Sequence, residues 1–452
     1  QTRAFVKLNL VEKMSDNSSN NHDNINNNDN DNAHEEEGDG VWFVYRGGHV
    51  PQNVQLVRVD ASITDIPGSA FKGCSDLRVV QFHDNVKSIG EEAFSFCYSW
   101  ETAILPPQLE SIGDRAFGHC NELQRVDFPS SILSIGDRAF SCCESLEVVN
   151  FLEDVTTTNN DVVLGRGIFE ICNSLTAIRL PAWVVAIPNS AFMACKQLRQ
   201  IQISNKCASI GKYAFFGCPL ETIDIPDSVT LIEASAFDRC YNLQTITLPP
   251  NITRIPREIF AECVRLVQVK LPQKTVRTIE MQAFQGCQSL KTIEIPGSLE
   301  SIGENAFGLC KGLTEIRFAD SSRLTSIGKL AFVSCQALRR IELPNSVTNI
   351  GSRAFQNCSL LSSIRLPKNP NLHLGQHALV GCHTLTTIEF SARIPLGAWS
   401  HFIARMSSTF LLGEATILGD KVRANIIFNF LSERVGQMFE NQRGGRRRIR
   451  PR

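Results

Sequence analysis

The sequence predicts an α/β repeat protein, a solenoid of about 14 stacked turns of ~23 residues capped at both ends. Three observations carry this. First, a pattern Ile-Gly-x-x-Ala-Phe-x-x-Cys, then Leu-x-x-Ile-x-Leu-Pro, returns from Phe71 to Leu379 with little loss of phase. Second, a cysteine sits three residues after every aromatic position, from Cys74 to Cys382, and accounts for 14 of the 16 cysteines. Third, each repeat carries one alternating apolar/polar stretch and one stretch of helical spacing, so it is a supersecondary unit that must stack to bury its apolar side.

The first 40 residues hold three Lys/Arg against nine Asp/Glu and almost nothing apolar beyond residue 14. Such a segment cannot bury enough surface to offset its ordering entropy, so 1–40 is expected to be a disordered, acidic, Asn/Asp-rich leader. Val41-Trp-Phe-Val-Tyr45 reads as a strand followed by a Gly-Gly turn, and 41–53 as an N-terminal cap strand that covers the first turn of the array.

The array itself occupies 54–390. In Leu290-Lys-Thr-Ile293-Glu-Ile295-Pro296, Ile293 and Ile295 alternate with polar neighbours as on a half-buried strand, and Pro296, which has no N–H for a ladder, ends it. Leu299 and Ile302 point back inward, and Gly303 to Cys310 is expected to be a short helical or 3₁₀ segment. The glycine of the pattern is replaced by Pro67, Pro188 and Pro256, and by Glu233 and Glu280. Proline holds φ near about −65°, so this place does not demand positive φ and suits the first position of a helix. One cysteine per turn makes an inward column of small reduced thiols packing as hydrophobes, because parallel Cβ vectors fit disulfide geometry poorly. Such usage fits a reducing compartment.

These residues resemble the BspA-type (Treponema-type) leucine-rich repeat, LxxIxLPxxLxxIGxxAFxxC. The resemblance covers about three quarters of the chain. It implies a curved leucine-rich-repeat solenoid with a parallel β-sheet on one face, and a protein-binding or adhesive role rather than catalysis.

Two irregularities interrupt the period. Phe140 and Phe169 are 29 residues apart because Glu153 to Asp161 adds a polar loop, and Phe307 and Phe332 are 25 apart around Ala319 to Arg323. After Phe390 the pattern stops. Residues 391–440 show two helically spaced apolar runs, which are expected to form a helical C-terminal cap. Residues 441–452 carry six arginines and are expected to be a basic disordered tail.

Function is less legible. The formal net charge is −1, with −6 in 1–40 and +7 in 391–452, leaving the array near −2. That balance argues against nucleic acid as the partner, and no apolar run reaches the ~18–20 residues of a membrane span. No nucleophile elbow, P-loop or dinucleotide fingerprint occurs. His373, His377, Cys382 and His383 are the right types for a metal, but His377 and Cys382 hold ordinary repeat positions. No cofactor or metal is expected, and the chain is not expected to be an enzyme.

The outward residue between the Ile and Leu positions separates the array into two parts. Lys270, Glu294, Arg317, Glu342, Arg365 and Glu389 alternate in sign and are expected to neutralise one another. Asp127, Asn150, Arg179, Gln202 and Asp224 lack that alternation and are the candidate partner-binding patch. The sequence therefore points to a non-catalytic scaffold binding a protein partner through the sheet face or rim loops. The alternative is a cell-surface adhesin for glycan or matrix. The reduced cysteine column, with an opening run too short and too polar for a signal-peptide core, leads to the expectation of a cytoplasmic or otherwise intracellular location.

Overall fold

A computed structural model of the chain describes residues 34–37, 40–152, 162–367, 369 and 372–390. The expected leader to residue 33, the loop 153–161, the helical cap at 391–440 and the basic tail lie outside the described residues. The chain divides into two compact units, Gln1–Pro219 and Leu220–Arg452. Each is a stack of about seven parallel-strand turns, and the boundary falls where Phe215 and Phe237 are one residue closer than the usual spacing.

Each turn has three sides. The first side is the Ile-x-Leu strand. Thr292–Ile295 shows the expected alternation, with Ile293 and Ile295 buried and Thr292 and Glu294 exposed. Strands of this kind pair in parallel and in register, so that Val126 meets Val149 and Ile293 meets Ile316. They form short sheets rather than one unbroken sheet. In the first unit Gly40–Tyr45, Leu56–Val59 and Val79–Gln81 join in one sheet, with His34–Glu37 antiparallel at its edge. Thr102–Ala103, Arg125–Phe128 and Val148–Phe151 make a second, and Ala177–Arg179 with Gln200–Gln202 a third.

The second side is also a parallel sheet, made of two-residue strands that the sequence did not announce. Asp65–Ile66, Ser88–Ile89, Ser111–Ile112, Ser134–Ile135 and Val163–Leu164 form five strands of it in the first unit. Six more run from Arg254–Ile255 to His373–Leu374 in the second.

The third side corrects the expected helical segment, because among the described residues no helix occurs. Between Gly113 and Cys120 the amides of Ala116, Gly118 and Cys120 bond three residues back, to Gly113, Arg115 and Phe117. The alternate amides of Arg115, Phe117 and His119 point instead to the next turn, donating to Asp137, Ala139 and Ser141 at 2.8–2.9 Å. A helix would consume these donors internally; here half of them join turn to turn. The geometry needs two left-handed residues per turn, Arg115 at φ 50° and His119 at φ 61° among them. The α/β assignment is thus replaced, over the described residues, by strands on two sides and linked tight turns on the third.

The core repeats with the backbone. The phenylalanines are buried and their rings stack, with centroids 4.8 Å apart for Phe117–Phe140 and 5.0 Å for Phe284–Phe307. The cysteines are free, and the column members are buried. They do more than pack: Cys120 Sγ donates to Phe94 O at 3.2 Å, and Cys310 Sγ to Phe284 O at 3.1 Å, in each case the carbonyl of the preceding turn. Burial pushes the thiols of Cys120 and Cys195 up to about 12. Burial of this kind keeps these thiols inert. Cys142, half-buried at a left-handed position, is the most accessible thiol.

The repeat glycine follows expectation in φ but not in freedom. Gly113 does not have positive φ, yet a Cβ there would lie 2.5 Å from Glu91 N and 2.6 Å from Gly90 C. Those are backbone atoms of the turn below, so they cannot step aside. Proline or glutamate at the same place elsewhere makes this a requirement of individual turns and not of the repeat.

Two predictions follow from this packing. Gly113→Ala is expected to cost about 1–3 kcal/mol in denaturant unfolding through forced separation of two turns. A thiol reagent is expected to modify about one of the sixteen cysteines in the native chain, Cys142, and all sixteen after denaturation; Cys142→Ser then abolishes the native reaction.

Candidate partner-binding face

The outward residues of the Ile-x-Leu strands are placed by the pleat. Their neighbours on each side are held in the core, so successive outward residues stand one above another across the sheet. Four of the five patch residues, Asp127, Asn150, Arg179 and Gln202, lie on this face of the first unit, and Asp224 lies on the equivalent face of the second.

The structure splits the four. Asp127 and Asn150 are register partners, and Asn150 Nδ2 donates to Asp127 Oδ1 at 2.8 Å. Arg125, two residues earlier on the same strand, donates Nε to both Asp127 oxygens at 3.0 and 3.1 Å. Asp127 is therefore compensated by a residue that a single outward column does not display. Arg179 and Gln202 are register partners in the adjoining two-stranded sheet. Arg179 is exposed and, among the described residues, makes no ion pair.

The expected alternation in the second unit is realised in part. Arg365 bridges Glu342 at 2.7 Å and Glu389 at 2.8 Å, and Arg317 reaches Glu294 at 3.8 Å. Lys270–Glu294 and Arg317–Glu342 are not ion pairs, because each pair falls across a boundary between separate sheets. Arg317 turns instead to Glu315 on its own strand at 2.8 Å, and Arg340 to Glu342 at 2.6 Å. All are solvent-exposed pairs, each contributing about 0–1 kcal/mol.

Between Val148–Phe151 and Ala177–Arg179 the face opens into a shallow cleft of about 170 Å³, lined by Val149, Asn150, Phe151, Arg179 and Pro181. Phe151 stacks on Phe128 at 4.9 Å and meets Trp183 edge-on at 5.4 Å. Sequence reasoning named Asn150 and Arg179 but missed Phe151 and Trp183. The available signal was an aromatic where the repeat has Leu, directly before the longest insertion.

Elsewhere, the histidine–cysteine group near the end of the array gives no chelating set: Cys382 Sγ is committed to Phe355 O at 3.2 Å, and among the described residues no three ligand-type side chains converge. No helix among the described residues is long and apolar enough to cross a membrane. On the turn side, burial pushes the Asp238 carboxyl up to about 6, against Arg239 and with Glu258 and Glu262 adding to the rise. A carboxyl raised on folding favours the folded state fully below its unfolded pKa, and that contribution is lost as pH rises through about 6. Asp238→Asn is therefore expected to raise Tm near pH 8, by an amount that shrinks as pH falls through about 6 and is nearly gone near pH 4.

A family model described as BspA type leucine rich repeat region, in six copies, matches residues 51–164, 162–291 and 277–397. Among solved structures, a leucine-rich repeat protein from Bacteroides ovatus ATCC 8483 is similar at 26% identity, over 80% of this chain and 94% of that one, with a TM-score of 0.56. A leucine rich cell surface protein from Faecalibacterium prausnitzii A2-165 is similar at 24% identity, over 84% of this chain and 97% of that one, with a TM-score of 0.45. No curated protein matches the chain. With the family match running through most of the sequence and the same period visible turn by turn in the structure, the chain belongs to the BspA-type leucine-rich repeat family.

Proposed function

We propose that this protein is a non-catalytic scaffold that binds a protein partner through the outward face of its Ile-x-Leu strands in the first unit. The observation that carries the reading is the cleft beside Arg179, where an exposed cation without an ion pair among the described residues shares the lining with half-buried Phe151, itself packed on Trp183. Interfaces draw on aromatic and arginine side chains in this way, whereas a solvated face spends its charges on its own neighbours. Outward residues of the strands vary freely from turn to turn, because the stack constrains only the inward ones. Family membership supports an interaction role and offers no catalytic constellation to set against it.

We also read Gly40–Tyr45 as the cover of the first turn, since Phe43, Val44 and Tyr45 are buried and the Tyr45 ring packs on Phe71 at 4.9 Å.

A photo-crosslinking side chain placed at Gln202, on the face, is expected to give a discrete protein adduct in cell extract. The same group at exposed Glu91, on the turn side, is expected to give none. Equal adducts from both places, or none from Gln202 and from Asn150, would overturn the reading.

A further inference from the structure

We propose that the gap between Val148–Phe151 and Ala177–Arg179 receives an Asp or Glu side chain of the protein partner, held by the Arg179 guanidinium. This rests on the scaffold reading above and gives the chemistry of what that face recognises.

The gap is a real interruption of the sheet. Val148–Phe151 ends one sheet and Ala177–Arg179 begins the next, and among the described residues no backbone hydrogen bond joins the two strands. Strand edges left this way present unpaired polar groups. The cleft between them, about 170 Å³, is smaller than the roughly 300–1,000 Å³ of pockets that enclose whole small ligands, and suits a single side chain offered by a larger partner.

Its charge selects an anion. Other arginines on the sheet face of the first unit are engaged: Arg125 with Asp127, and Arg58 with Gln81 and the Trp42 ring. Arg179 has no such partner among the described residues. A guanidinium presents parallel donors that match a carboxylate in bidentate fashion. Asn150 spends one amide N–H on Asp127, and among the described residues its second N–H has no acceptor and can serve a guest. One cation and one amide balance a single negative charge better than a phosphate dianion, which takes several donors. Phe151, which lines the cleft and packs edge-on against Trp183, supplies an apolar wall with Val149 and Pro181, where a neighbouring aliphatic or aromatic residue of the partner can rest while the ion pair loses water.

The test uses the full chain and a displayed library of random dodecapeptides. Peptides captured by the wild type are expected to be enriched in Asp or Glu next to an apolar residue. Arg179→Glu is expected to weaken them at least about tenfold, with Arg179→Lys intermediate, and to select Lys- or Arg-containing peptides instead. Arg179 is exposed, so an unchanged circular dichroism spectrum and Tm show that the variant folds. Peptides that bind the wild type and Arg179→Glu equally would overturn this inference while leaving the scaffold reading intact. No captured peptide at all would overturn both. Capture that emerges only after Glu153→Gln and Asp154→Asn together would assign the cleft to the chain's own loop and overturn the partner assignment.

Discussion

Most of the backbone of each turn is satisfied by the turns above and below it, even where the Ile-x-Leu side is interrupted, and the rest of the fold depends on that constraint. A single repeat of ~23 residues cannot close its own hydrogen bonds, since two of its sides are strands and the third lends half its amides to a neighbour. Successive turns must therefore sit near the inter-strand distance of about 4.8 Å wherever their ladders are unbroken. At that spacing a phenylalanine ring lies directly over the ring below, and a thiol lies within reach of the preceding turn's carbonyl. In Gly113 the same spacing leaves no room for a Cβ. The left-handed residues cost about 1–2 kcal/mol each when they are not glycine. They persist because the ladder on that side accepts no other direction for the amide.

Such a lattice separates residues that are pinned from residues that are free. The inward Ile, Leu, Phe and Cys are held from every direction, and the strong upward push on the cysteine pKa values is one expression of it. The outward residues of the strands answer only to solvent and to one another. Where the first sheet side is continuous, as at Arg125, Asp127 and Asn150, they satisfy each other. Where it breaks, as between Asn150 and Arg179, charge and aromatic surface are left over. The proposed contact thus falls where the first sheet side is interrupted rather than in its most regular part.

Much of the fold could be read from the residues. The period, the strand of Thr292–Ile295, the inward cysteines and the β-strand Gly40–Tyr45 all follow from patterning that local burial enforces. The helical segment did not hold, because Ala-Phe-x-x-Cys spacing is equally served by linked turns once a neighbour supplies the acceptors. Residues such as Arg115 and His119 have no particular liking for positive φ, so nothing in their identity signals it. The outward positions of the five patch residues could be read from the period, but their partners could not: Asp127 is paired by Arg125 from a neighbouring column of the same strand and by Asn150 from the next strand.

By itself, then, the sequence determined the repeat, its register and which side chains face inward, because a hydrophobic period of this regularity has few ways to be buried. The tertiary structure alone decided where the first sheet side is interrupted, which charges find partners and which glycine is indispensable. Each of those depends on the distance between one turn and the next, and that distance is a property of two segments about 23 residues apart, not of either one.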